Sequence, residues 1–283
     1  MQPHFDTVDR IIRYALEEDI GYGDVTSQLL IPKTVQAELA FVNREPMVNC
    51  GTQVVARAFA LLDIGIRTEL LVREGETVAA GTVLIRVSGP AQTILTGERV
   101  ALNLYQRMCS VATLTRAYVD AMKGTKAVIL DTRKTMPGLR ELDKYAVRMG
   151  GGTNHRQRLD DGIMIKDNHI AVTGSIRKSL EMARNGNMKN LPIVIECDRL
   201  EQVQEAIEGG AHHIMLDNMT LAQLKEAVNW VAGRAKLEAS GNVSLDTVRL
   251  IAETGVDYIS VGKLTHSVRN VDIGLDKAID IPL

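Results

Sequence analysis

The sequence predicts an α/β protein with an N-terminal region built on an antiparallel sheet and a C-terminal incomplete α/β barrel of six or seven strands. Three observations carry this prediction. From Ala37 to Val87, short alternating runs such as ELAFVN and TVLIRV are separated by Gly51, Gly65, Gly75 and Gly81, the pattern of antiparallel strands joined by turns. Beyond about residue 125 the runs AVILDTRK, GIMIKDNH, IVIECD, HIMLDN, AKLEASGN and YISVGK each end in a polar or glycine cluster, as in a βα series with a parallel sheet. The later repeat is only about twenty residues, which suits a tightly wound barrel, but six strands fall short of the eight that a closed barrel needs. An open doubly wound sheet is the alternative.

In chain order, residues 7–20 place Val8, Ile11, Ile12, Ala15 and Leu16 at helical spacing, with Gly21 as C-cap. Residues 53–63 (QVVARAFALLD) form a second helix. The glycine-spaced stretch GETVAAGTVLIRVSG at 75–89 is similar to biotinyl or lipoyl carrier modules but has no lysine to modify, so it reads as sheet alone. Gly89-Pro90 opens a long helix, with Pro90 in its first turn. Ile94, Ala101, Leu104, Met108 and Val111 form its apolar stripe and Arg99 lies on the other side. Helices are expected at 199–208, 220–231 and 244–254. The domains are drawn as 1–112 and 113–283, with the C-terminal tail a candidate to return to the first.

Composition narrows the function. Lysine and arginine number 33 against 35 acidic residues, so no bulk positive field recruits nucleic acid or anionic membrane and any anion site must be local. Cys50, Cys109 and Cys197 are odd in number and widely separated, which suggests neither a disulfide framework nor a structural zinc site and fits a reduced cytoplasm. The N-terminus does not read as a signal sequence, and no run of about 18 apolar residues suggests a membrane span.

Ligands of parallel α/β architectures bind at the carboxyl ends of the strands. Those ends carry Arg133 and Lys134, then Lys166 with Asn168 and His169, then Glu196, Asp217, Ser240 with Gly241, and Gly262. Between the first two strands, MGGGTNHRQR (149–158) adds His155, Arg156 and Arg158 behind three glycines, a run whose entropic cost implies unusual dihedrals or close backbone approach. Guanidinium groups bind both oxygens of a carboxylate at once, so the cations together suit a small, multiply charged acid. Taken singly, each has a plain alternative: surface cations, structural salt bridges of Glu196 and Asp217, a satisfied loop histidine, a solvated Arg99. Six successive strand ends suited to one anionic ligand favour the joint reading.

LDTRKTMPGLRELDKYAVRMGGGTNHR, IMIKDNHI, IMLDN, SGN and SVGKLTHS, with ALEEDIGYGDVTS and GERVALN nearer the start, resemble quinolinate phosphoribosyltransferase, the carboxylating nicotinate-nucleotide pyrophosphorylase family. The resemblance covers nearly the whole chain. It implies an N-terminal α/β sandwich, a C-terminal incomplete barrel, and a homodimer in which Arg99 enters the partner's site. The implied reaction joins quinolinate to phosphoribosyl pyrophosphate (PRPP) with loss of CO2, in de novo NAD biosynthesis. Arg99, Arg133, His155, Arg156 and Lys166 would bind quinolinate. Thr132, Lys134, Glu196, Asp217, Ser240, Gly241, Asn242 and Gly262 would hold PRPP. Lys134, Glu196 and Asp217 would be catalytic, and Glu196 and Asp217 would meet Mg2+ carried mainly by PRPP. Two positions depart from the family pattern: Val194 stands where a second glutamate is common, and Lys263 where a small residue is expected. Other readings are a phosphoribosyltransferase for nicotinate or another pyridine acid, a Schiff-base aldolase using Lys166, and a non-catalytic sensor of phosphate ligands.

Overall fold

The computed structural model describes residues 3–277. Its first elements are α1 (Phe5–Ile20), α2 (Val25–Leu30), β1 (Gln36–Asn43), β2 (Met47–Val48), α3 (Thr52–Leu62), β3 (Arg67–Leu70), β4 (Thr77–Val78), β5 (Val83–Pro90) and α4 (Ala91–Ala121). There follow β6 (Val128–Leu130), α5 (Arg140–Met149), β7 (Ile163–Ile165), α6 (Asp167–Thr173), α7 (Ile176–Gly186), β8 (Ile193–Cys197) and α8 (Leu200–Glu208). The chain continues through β9 (His213–Asp217), α9 (Leu221–Val231), β10 (Lys236–Ser240), α10 (Leu245–Ala252), β11 (Tyr258–Ser260), α11 (Lys263–His266) and β12 (Ile273–Lys277). Among the described residues, no helix is long and apolar enough to cross a membrane.

Two compact units interleave along the sequence: Met1–Arg116 with Thr135–Gly151 and Thr265–Leu283, and Ala117–Lys134 with Gly152–Leu264. In the first, four strands form an antiparallel sheet in the order β12-β1-β5-β3. Phe41, Ile85 and Val87 pack there with Phe59, Ile94 and Tyr105 in one apolar cluster. Near the C-terminus, β12 pairs antiparallel with β1. The 75–89 stretch supplies β4 and most of β5. Pro90 ends β5 instead of opening the helix, which starts one residue later. Along α4, Ile94, Ala101, Leu104, Met108 and Val111 are buried and Arg99 is exposed.

Two polar contacts set the local geometry of this unit. Gly51, at the start of α3, has no side chain to cap the helix; Glu74 accepts instead from the N–H groups of Gly51 and Thr52, each at 2.8 Å. A carboxylate there satisfies orphan donors and meets the positive end of the helix dipole. Arg107 donates from Nε and Nη2 to the two oxygens of Asp143, both at 2.9 Å, and Asp143 is essentially without exposed surface. The glycine run after α5 has separate reasons for its members. A Cβ on Gly150 would lie 2.5 Å from the Ala112 carbonyl oxygen, while Gly151 has φ +95°, a region in which L side chains are strained.

The second unit holds six parallel strands in the order β6-β11-β10-β9-β8-β7. This is the cyclic order of a barrel cut between its first two strands, with no reversal of the kind that defines a doubly wound sheet. The architecture is an incomplete α/β barrel. At the seam, Thr153 makes a parallel bridge to Leu130 of β6. Successive residues of a strand face opposite ways, so Glu238 and Ser240 share one face of β10. The expected helices begin at Leu200, Leu221 and Leu245, one residue inside their predicted starts.

Candidate active site

The carboxyl end of β6 is built around Asp131, a fully buried carboxylate to which the strand-end reading gave no task. It accepts the His155 backbone N–H at 2.8 Å and the Asn154 side-chain amide at 2.6 Å. The Thr153 N–H bonds to the Ile129 carbonyl at 2.9 Å, and the Asp131 N–H to the Thr153 carbonyl at 3.2 Å. Strand end and glycine-led loop are therefore fastened together, which brings Arg133 beside Arg156. Burial, with the neighbouring Arg133 charge adding to it, lowers the Arg156 pKa against the opposing pull of Asp161. Two guanidinium groups held close enough to repel are prepared for an anion. Next to them, Thr132 Oγ1 accepts the Lys134 N–H at 3.0 Å and forms the corner that carries both cations.

On the adjacent ends of β7 and β8, Lys166 Nζ donates to Glu196 Oε2. Two residues from separate strand ends thus meet in one ion pair, partly open to solvent. At the ends of β9 and β10, Asp217 accepts from Asn218 Nδ2 at 2.7 Å, and the Asn218 N–H bonds to the Ser240 carbonyl at 2.9 Å. Asn218, Gly241 and Asn242 all have positive φ, at 56°, 95° and 49°. A Cβ on Gly241 would fall 2.1 Å from Asn218 Oδ1, so Gly241 answers to close approach as well as dihedral. Ser240, Gly241 and Asn242 thereby form a shaped turn beside Asp217, and Asn218, which the strand-end reading passed over, holds it. Gly262 follows β11, and Lys263 after it is exposed. Arg99 belongs to the other unit.

Below these ends the interior of the same unit carries Glu238, with no exposed surface. Ser260 Oγ donates to its Oε1, and the Nε2 atoms of His213 and His155 lie 2.8 and 3.6 Å from its Oε2. Burial alone would raise the Glu238 pKa, but the His155, His213 and Ser260 contacts outweigh it and bring the carboxyl down to about 2 from an ordinary 4.5. His155 accepts the Arg156 backbone N–H at Nδ1, at 2.7 Å, so both ring nitrogens face protein atoms. A cavity of about 240 Å³ opens beside the group, with His155, Arg156, His213, Tyr258, Leu130 and Val194 among its walls. The signal available in the sequence was an acidic residue inside an otherwise apolar parallel strand. Cys197, next to Glu196, is no nucleophile: burial raises its thiol to about 12.

A depressed carboxylate stabilises the fold above its unfolded pKa, and that contribution disappears as pH falls through the folded value. The stability due to Glu238 should therefore be fully present above about pH 4.5 and drain away toward pH 2. Urea unfolding of wild type and Glu238→Gln across this window checks it: the wild-type midpoint should fall more steeply with acid, and parallel curves would refute the assignment.

Comparison with known proteins adds independent findings. Residues 111–276 match the family model "Quinolinate phosphoribosyl transferase, C-terminal domain", and 24–109 match the corresponding N-terminal domain. A nicotinate-nucleotide pyrophosphorylase (carboxylating) of Mycobacterium leprae is 45% identical over 281 residues, covering 96% of this chain and 98% of that protein. A probable nicotinate-nucleotide pyrophosphorylase (carboxylating) of Bacillus subtilis is 42% identical over 269 residues, covering 94% and 92%. Among solved structures, NadC from Streptococcus pyogenes superposes with TM-score 0.94 at 36% identity, covering 98% of each chain.

Proposed function

The chain belongs to the quinolinate phosphoribosyltransferase family, and from that premise we propose how its residues divide the work. The enzyme transfers the phosphoribosyl group of PRPP to quinolinate and releases pyrophosphate and CO2, leaving nicotinate mononucleotide for NAD biosynthesis. The observation that carries the assignment of roles is the ion pair joining two strand ends, Lys166 to Glu196, with the Arg156 loop fastened to the end of β6 through Asp131.

In this reading Arg133, Arg156 and Lys166 take the two carboxylates of quinolinate, with His155 in the same loop. Thr132, Lys134 and the Ser240–Gly241–Asn242 turn, with Gly262, hold PRPP, the turn and Gly262 at its 5-phosphate. The closely packed backbone at Gly241 suits a phosphate because N–H groups can approach it directly. Both substrates are polyanions, so holding them in reacting geometry is chiefly a matter of positioning and charge neutralisation. As the C1–pyrophosphate bond breaks, positive charge grows on the ribose, and Glu196 and Asp217 stabilise it. The pyridine nitrogen donates its electron pair to C1. The ring, now cationic, accepts the electron pair of the departing C2 carboxylate, CO2 leaves, and C2 takes up a proton.

The carboxylates also bear on Mg2+. Glu196 and Asp217 stand at the ends of neighbouring strands, and among the described residues no group of three or more acidic, histidine or cysteine side chains could hold a metal. Two carboxylates of this kind fit a hard cation that keeps water and substrate oxygens as its other ligands. Bound there, Mg2+ would neutralise pyrophosphate charge. Cytoplasmic residence is proposed from the three free, buried cysteines.

A homodimer with Arg99 reaching the partner's site is supported by the surface around it. Leu95 is exposed one turn before Arg99, and Val25, Leu29 and Leu30 are exposed on α2, which is tied to α4 by Gln92 and by a 3.2 Å bond from Thr96 to Asp24. Mixing Arg99→Ala with Lys134→Ala protein should regenerate one intact site per mixed dimer. Activity restored in isolated heterodimers would support sharing, and none would remove it.

The direct test of the function uses carboxyl-labelled quinolinate. Labelled CO2 should appear only when PRPP and Mg2+ are both present. Release without PRPP, or none with all three, would overturn the assignment, and nicotinate competing as well as quinolinate would favour a monoacid substrate.

A further inference from the structure

Glu238 is absent from every role assigned above, yet its surroundings give it one. It lies two residues before Ser240 on the same face of β10, beneath the carboxyl end of that strand. A buried carboxylate is costly unless polar groups meet it; here Ser260 donates to Oε1, while the Nε2 atoms of His213 and His155 lie 2.8 and 3.6 Å from Oε2, close enough to interact by charge but outside hydrogen-bond geometry. His155 differs from His213 in what its other nitrogen does. Its Nδ1 accepts the backbone N–H of Arg156, and an accepting Nδ1 places the proton of a neutral imidazole on Nε2, the atom that faces Glu238. A carboxylate 3.6 Å from Nε2 favours by its negative charge the one tautomer, protonated there, that can hold the Arg156 backbone. Asp131 fastens the same loop from β6 through the His155 N–H. The Arg156 guanidinium gives one N–H to the Gly162 carbonyl at 2.8 Å, and its fork has further donors for a carboxylate.

We propose that Glu238 is a positioning residue that acts through His155 on Arg156, aiming that guanidinium at a carboxylate of quinolinate. The proposal rests on the assignment of Arg156 to quinolinate. Partners one step behind metal-ligating histidines fix tautomer and orientation and change affinity or activity by about 10–100-fold when removed, and the lower end of that range is the effect expected for Glu238.

The test is a double-mutant cycle on the full-length enzyme, with quinolinate and PRPP varied separately. Glu238→Leu should raise the quinolinate KM by about tenfold and leave the PRPP KM within about twofold. In a His155→Phe background the same substitution should add less than about twofold, because its route is already cut. Additive effects, or equal rises in both KM values, would overturn the proposal. His213→Phe keeps a ring against Tyr258 and removes the second imidazole; if it raises the quinolinate KM as much as Glu238→Leu, Glu238 acts by holding the interior together and not through His155. Should Glu238→Leu fail to fold, Glu238→Gln enters the same cycle. Histidine side-chain 15N spectra of the wild type, assigned with His155→Phe, provide a reading independent of activity: His155 should be protonated at Nε2 and bare at Nδ1, and the opposite tautomer would sink the idea. Arg156→Ala with an unchanged quinolinate KM would instead remove the assignment beneath it, a failure visible apart from the tautomer.

Discussion

Glu196→Gln is expected to lower kcat by about 10²–10³-fold, the loss typical of removing one preorganised group that stabilises transition-state charge. The substitution keeps the shape of the side chain and a hydrogen-bond acceptor for Lys166, its partner at the adjacent strand end, so folding should be retained. What disappears is the negative charge, on which two separate effects depend. On the proposed division of roles, the positive charge growing at the ribose loses its counter-charge, and the Lys166 ammonium is no longer balanced before substrate arrives. The first lowers kcat. The second should leave the quinolinate KM unchanged or lower, because the unbalanced cation then has only the substrate carboxylate to meet. Pyrophosphate release measured at saturating PRPP, beside a circular dichroism spectrum matching wild type, checks both. A kcat within about threefold of wild type would assign the charge stabilisation to Asp217.

Asp143→Ala should destabilise the protein by about 3–5 kcal/mol, the range for breaking a buried pair and leaving one charge behind. Asp143 is buried and Arg107 nearly so, with 14% of its side chain exposed, and the Met136 N–H at 3.3 Å loses an acceptor in the same step. Urea denaturation gives the value directly. Replacing both partners, Arg107→Met with Asp143→Leu, should recover much of the loss, since an apolar pair of similar volume carries no uncompensated charge. A single-variant loss below about 1 kcal/mol would mean that water enters and solvates Arg107.

What the sequence made legible follows from what repeats. The parallel strands are visible because each apolar run stops at a polar cluster, and the strand-end list then names Arg133, Lys134, Lys166, Glu196 and Asp217 without any coordinates. Arg99 is visible because a 3.6-residue period separates its face from Ile94 and Met108. Strand order was not legible, since barrel and doubly wound sheet share the same βα pattern and differ only in which strands meet. Glu238, Asp131 and Asn218 escaped for another reason. Each takes its meaning from groups on other segments: the histidines that reach Glu238 come from the loop after the glycine run and from the start of β9, and Asn218 matters through a turn that follows the next strand. Short strands such as β2 and β4 have too few residues to show a period at all.

The pairing of β12 with β1 has a consequence for the order in which the chain is made. Domains usually complete themselves from the N-terminal end as the ribosome delivers them. Here the outer neighbour of β1 is Ile273–Lys277, so the first sheet begun is among the last finished. Throughout elongation one side of β1 offers open backbone donors and acceptors, the kind of edge to which foreign strands add. The barrel strands β6 to β11, all encoded before residue 265, have no such debt to the tail. The half of the protein that carries the strand-end chemistry can therefore close while the half that precedes it in the gene is still waiting.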